Sequence, residues 1–222
     1  MLPRALTADG SSQSLAAIDL PNFNSKQLIP PAFGESAAHL RDLLKQRTEA
    51  PHRALEATAL MREVATGIPS DELYAAYLLA HWQIHVGLEA QLAQRFNAPW
   101  VEGRLSKSRW LQADLAALQR TPGSAPSPAH LIQSDAEAWG AMYVLEGATL
   151  GLGVVTRRLP ESHPARCGAG RFMAAYGAQT GSRWAEFLRA LAEVDRADWP
   201  FVCTSARATF ELFERVFGAV SR

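Results

Sequence analysis

From Ser36 onward apolar side chains recur at helical spacing, and strand-like alternation is nearly absent. Leu40, Leu43 and Leu44, then Leu55 after a break, fall near one stripe and predict a first helix. Ser70 followed by Asp71 and Glu72 is an N-cap with first-turn acids. It opens a stretch over 73–96 with no proline and one internal glycine, which at ~1.5 Å per residue predicts a helix about 35 Å long. A further helix is predicted over 108–119, ending before Thr121-Pro122-Gly123. Another opens at Ser134-Asp135, runs past Tyr143 into a glycine-rich segment and stops by Pro160. The last two are predicted over 182–195 and 201–217. Residues 1–35 contrast with all of this: Pro3, Pro21, Pro30 and Pro31 stand among Ser and Asn with no sustained period, which predicts a loose arm. With no repeat and no internal linker, residues 36–222 predict one all-α domain, a single bundle of stacked helices.

Composition narrows the function classes. The 222 residues suffice for one substantial core, and 48% apolar with 20% charged residues is ordinary globular usage. A formal net charge of zero argues against a nucleic-acid partner held by bulk electrostatics. No apolar run reaches the roughly 18 residues of a membrane span, and no basic stretch precedes an apolar h-region at the N-terminus. The expectation is a cytoplasmic protein with no membrane span. Cys167 and Cys203 lie far apart without metal-ligand spacing, as reduced thiols do.

Of six histidines, His52 has the most informative context. It falls late in the first helix, and Lys45, seven residues earlier, lies two turns back on the same face. A histidine facing a cavity can hold heme iron through neutral imidazole, and such a lysine can meet an anionic ligand edge; a lone helical histidine is also an ordinary surface or core residue. The second informative segment, 140–155, places several glycines inside a helix, each costing up to ~1 kcal/mol relative to alanine. Gly147 and Gly151, four apart, share a face. A bare face admits a flat ligand against the backbone, close helix packing, or a kink.

Taken together these segments resemble the heme oxygenase family. LLKQRTEAPHRALE at 43–56 is similar to the family's proximal helix, with its pattern LR-x-x-T-x-x-x-H-x-x-LE. YVLEGATLGLG at 143–153 is similar to the bacterial distal-helix pattern YVLEG-S-TLGG. Weaker echoes follow at 111–118, 184–188 and 208–211, so the resemblance spans residues 38 to 217. It implies an all-α heme oxygenase-like bundle that uses heme as both cofactor and substrate. It also implies O2-dependent cleavage to biliverdin, CO and ferrous iron, with electrons from an external donor such as ferredoxin or a reductase. The bilin would supply a phytochrome, or the iron would be released for use. By the same resemblance His52 is the iron ligand, Glu56 orients its imidazole, Lys45 meets a propionate, and Gly147 and Gly151 lie over the heme as the catalytic distal face. Thr48, Tyr143, Leu152, Arg183 and Phe210 complete the expected cofactor-binding set, with Arg189 an alternative to Arg183.

Three positions depart from the pattern. Leu152 stands where the second glycine of the TLGG pair usually lies, so it is expected to flank the pocket. Ala148 replaces a polar residue that often orders distal water, which bears on proton delivery more than on heme binding. Pro51 precedes His52 and predicts a kink over 47–51 or a helix restarting near Ala50. These departures also define a second expectation, a non-catalytic relative that binds heme, a bilin or another protein. His81 and His85, four apart, have metal-binding spacing, but with Tyr74, Tyr77 and Trp82 around them they predict aromatic core packing.

Overall fold

The computed structural model describes residues 35–68, 70–97, 99–101, 103–123 and 132–220. The arm expected over 1–35 lies, up to residue 34, outside them. The described residues form seven α-helices and no strand: α1 Glu35–Glu56, α2 Ala59–Thr66, α3 Asp71–Leu92, α4 Lys107–Ala117, α5 Asp135–Arg158, α6 Thr180–Leu191 and α7 Trp199–Gly218.

The starts follow local chemistry. The Ser70 hydroxyl accepts from the Leu73 amide at 3.1 Å, capping α3. Ser134 and Glu137 form a reciprocal capping box that opens α5. Helix α2 has no counterpart in the predicted elements. Thr58 caps it, and Gly67, at φ 107°, closes it in the left-handed conformation that glycine adopts without a Cβ penalty. Helix α1 continues through Pro51, which is buried, so the expected restart near Ala50 does not occur. Burial of the pyrrolidine ring offsets part of the lost backbone bond.

Helix α7 packs against both α1 and α5, and α3 packs on α4 and α7. The α5–α7 crossing is close because of Gly140: a Cβ there would stand 2.2 Å from the Val202 carbonyl oxygen and 2.8 Å from the Ala206 nitrogen. At the same crossing the Ser205 hydroxyl donates to the Glu137 carbonyl at 2.6 Å. Among the described residues α5 alone is long and apolar enough to cross a membrane, with a mean hydropathy of 1.3 over its best window. Fifty-six per cent of the window is buried inside the protein, as in the central helix of a packed bundle.

Candidate functional site

Helices α1 and α5 both pack on α7. On α1, the His52 side chain is 47% exposed. Its Nδ1 stands 3.5 Å from Glu56 Oε1, and the edge of its ring meets Phe210 of α7 at a centroid distance of 5.3 Å. That separation is longer than a formed hydrogen bond. It still favours the proton on Nδ1, where the carboxylate can accept it, and leaves the Nε2 lone pair outward. Nε2 has no protein partner among the described residues.

On α5 the glycines divide by cause. Gly140 is demanded by helix packing. Gly147 and Gly151 are not. A Cβ at Gly147 would meet the Trp184 ring of α6 at an ordinary 3.8 Å, and a Cβ at Gly151 would meet nothing within 4 Å. The helix is continuous through both. Of the alternatives open at the sequence level, close helix packing therefore does not account for this pair. At Gly151 this leaves a bare stretch of backbone beside open space, while the Gly147 face lies against the Trp184 ring. The residues present fit a heme: an imidazole nitrogen without a protein partner, an adjoining aromatic ring and, at Gly151, a helix face free of side chains.

The other expected contacts fall in different places. Lys45 is exposed on α1. Tyr143 packs on Trp184 at 5.8 Å between centroids, and burial, opposed by nearby Arg41, pushes its hydroxyl up to about 12. Thr48 turns inward: it is buried, and its hydroxyl donates to the Leu44 carbonyl at 2.8 Å. Leu152 is 3% exposed and belongs to the core. Each of these two residues is turned about its helix axis onto the core side. Arg183 stacks over the Tyr176 ring at 4.7 Å, while its neighbour Trp184 is the α6 side chain that faces Gly147. Arg189 is exposed.

Sequence reasoning missed a buried polar network behind α5. Glu146, 1% exposed, accepts from Arg104 Nη1, from Lys107 Nζ at 2.7 Å and from the Tyr176 hydroxyl at 2.8 Å. Arg104 reaches on to Glu186 at 2.7 Å and the Arg183 carbonyl at 3.0 Å. Burial pushes the Glu146 carboxyl up, but Lys107 and Arg104 beside it prevail and hold it below the usual carboxylate range. One signal was available: Lys107 and Arg109 crowd the N-terminal turn of α4, where cations oppose the helix dipole and require compensation. Glu89 supplies more of it, accepting from the Lys107 amide at 2.8 Å and the Ser108 amide at 3.1 Å. His81 and His85 lie in an aromatic core with Tyr77, Phe172, Phe213 and Phe217, as expected. No cluster of three or more metal-ligating side chains occurs among the described residues. Both cysteines are free thiols.

Comparison with known proteins places the chain in one family. The heme oxygenase family model matches residues 38–219. A heme oxygenase of Xanthomonas campestris pv. campestris (strain 8004) is 31% identical over 110 residues, covering 47% of this chain and 64% of that relative, so the match spans somewhat under two thirds of its length. The fold is similar to that of heme oxygenase from Leptospira interrogans, with a TM-score of 0.64, 18% identity and coverage of 82% of this chain and 99% of that one. It is also similar to the NO- and CO-bound heme oxygenase from Neisseria meningitidis, with a TM-score of 0.59, 19% identity and coverage of 82% and 94%. On the match that runs almost the whole length of its helical domain, this chain belongs to the heme oxygenase family.

Proposed function

We propose that the chain is an O2-dependent heme oxygenase that cleaves heme to biliverdin, CO and ferrous iron, taking electrons from an external protein donor of the ferredoxin or reductase type. Heme, when bound, supplies the iron at which O2 is reduced and the ring that is opened. His52 Nε2 holds the iron, and Glu56 keeps the imidazole proton on Nδ1. The T-shaped contact with Phe210 limits rotation of that ring. Gly151, and Gly147 beside Trp184, would let the α5 backbone come close to a flat ligand and keep water from it. Lys45, exposed two turns before His52, meets a propionate. Arg183, turned onto Tyr176, is left out of this set.

The observation that carries the reading is the open space at Gly151, where packing would tolerate a side chain and none is present. The free thiols support a cytoplasmic setting. The test is reconstitution with hemin, addition of a reductant system under air, and visible spectroscopy. Loss of the heme band with growth of a biliverdin band is expected. Stable bound heme without turnover would overturn the enzyme assignment in favour of a heme-binding relative. Delivery of the bilin to a phytochrome is checked by covalent adduct formation in a coupled mixture.

A further inference from the structure

We propose that Glu146 is a positioning residue: its anchored carboxylate fixes the rotation of α5 so that Gly147 and Gly151 face the ligand side. The role rests on the heme reading above, but the anchoring itself is a property of the protein without ligand.

A helix face made of glycines has no side chains to interlock, so something else must set its rotation. Glu146 directly precedes Gly147, and at about 100° per residue its side chain leaves the helix on a different side from both glycines. On that side three side chains bond to it, and a fourth residue is joined through one of them. Arg104 comes from the turn before α4, Lys107 from the first turn of α4, Tyr176 from the segment before α6, and Glu186 from α6 through Arg104. The bonding is saturated. Lys107 Nζ donates to the Arg104 carbonyl at 2.8 Å, to Glu146 and to the Tyr176 oxygen at 2.9 Å, and the Tyr176 hydroxyl passes on to Glu146. Arg104 Nε closes on the Trp100 carbonyl at 2.9 Å.

Arg104, Lys107 and Glu146 are 0%, 2% and 1% exposed, whereas Glu186, the outer member, is 45% exposed on its side chain. Burying such a set stabilises less than well-packed apolar side chains of the same volume would. Its use is directional: salt bridges at fixed length permit one rotation and one axial register of α5, which apolar packing does not enforce as sharply. The same feature explains how three glycines within 147–153 coexist with a continuous helix.

The experiment compares wild type with Glu146→Gln and with the neutral triple variant Arg104→Met, Lys107→Met, Glu146→Leu. Amide hydrogen exchange is read on the proteins without heme. Positioning predicts that amides of residues 147–155 exchange about tenfold faster or more in both variants, while those of 78–88 in α3 stay within about twofold. The triple variant, which leaves no unpaired buried charge from these three groups, is expected to keep its urea midpoint, so the exchange change is not global loss of stability. With hemin, both variants should give a mixture of biliverdin isomers or a shifted heme band. Wild-type exchange over 147–155 in a folded triple variant would overturn the proposal. If the triple variant does not fold, Glu146→Gln alone carries the exchange test, with residues 78–88 as the internal reference. Should wild type bind no hemin, the heme reading fails by itself, and the exchange result still decides whether Glu146 anchors α5.

Discussion

Replacing Gly151 by alanine separates stability from function at the position where the account places them in conflict. The added methyl meets nothing within 4 Å, and residue 151 sits inside a continuous helix. Glycine in a helix interior costs about 0.8–1.0 kcal/mol relative to alanine, so the heme-free variant is expected to gain that much. In a chain of this size that gain raises Tm by about 2–4 °C. It moves the urea midpoint upward without changing the slope. Heme binding should move the other way. The methyl projects into the space the flat ligand needs, and overpacking of about 1–3 kcal/mol corresponds to hemin affinity lower by about 5- to 150-fold. Calorimetry on the heme-free protein and a hemin titration read at the heme band measure the two halves. Gly153→Ala is the control: its Cβ would lie 3.6 Å from the flexible end of Arg157, so stability should rise and affinity stay put. A Gly151→Ala protein that gains stability and binds hemin as wild type does would refute the claim that this glycine keeps space for a ligand.

Gly140→Ala should behave in the opposite sense. Its Cβ would collide with the backbone at Val202 and Ala206, and a loss of about 3 kcal/mol, or 6–12 °C in Tm, is expected by calorimetry. Glu89→Ala removes the carboxylate that accepts from the Lys107 and Ser108 amides at the start of α4. A loss of about 2–3 kcal/mol in urea unfolding is expected, and one below about 0.5 kcal/mol would show that α4 does not depend on this cap. Stability should also fall with acid. Burial, and for His81 also the neighbouring His85, lowers the pKa of these imidazoles from the ordinary 6.5, so below that pH the unfolded chain binds more protons than the folded one. Their contribution is therefore complete above about pH 6.5 and lost progressively below it. Urea midpoints at pH 8 and pH 5.5 check the sign, and His81→Leu should flatten the dependence.

What the sequence made legible was the chemistry that repeats locally. The caps at Ser70 and Ser134, the long α3 and the glycine face of α5 depend on neighbours within one or two turns. The predicted helices accordingly match the observed ones to within a few residues at most ends. Helix α2 was illegible because eight residues carry too little period, and its Thr58 cap lies beside the end of α1 without an intervening glycine or proline. The rotation of Thr48 and Leu152 onto the core side was illegible for another reason: a wide apolar face leaves tens of degrees undecided until the partner helices are placed. The Glu146 network joins residues 39 and 42 positions apart, a separation no local pattern reports. Pro51 shows the limit of a strong local rule, since tertiary burial carries α1 through it.

The account is tested most directly by the visible absorption spectrum of the hemin complex of His52→Ala beside that of wild type. Ligation through Nε2 of His52 predicts a histidine-ligated heme band in wild type that disappears in the variant and returns on addition of free imidazole. An identical band in both proteins would mean that the iron is held by another group, and His52 would lose its assignment.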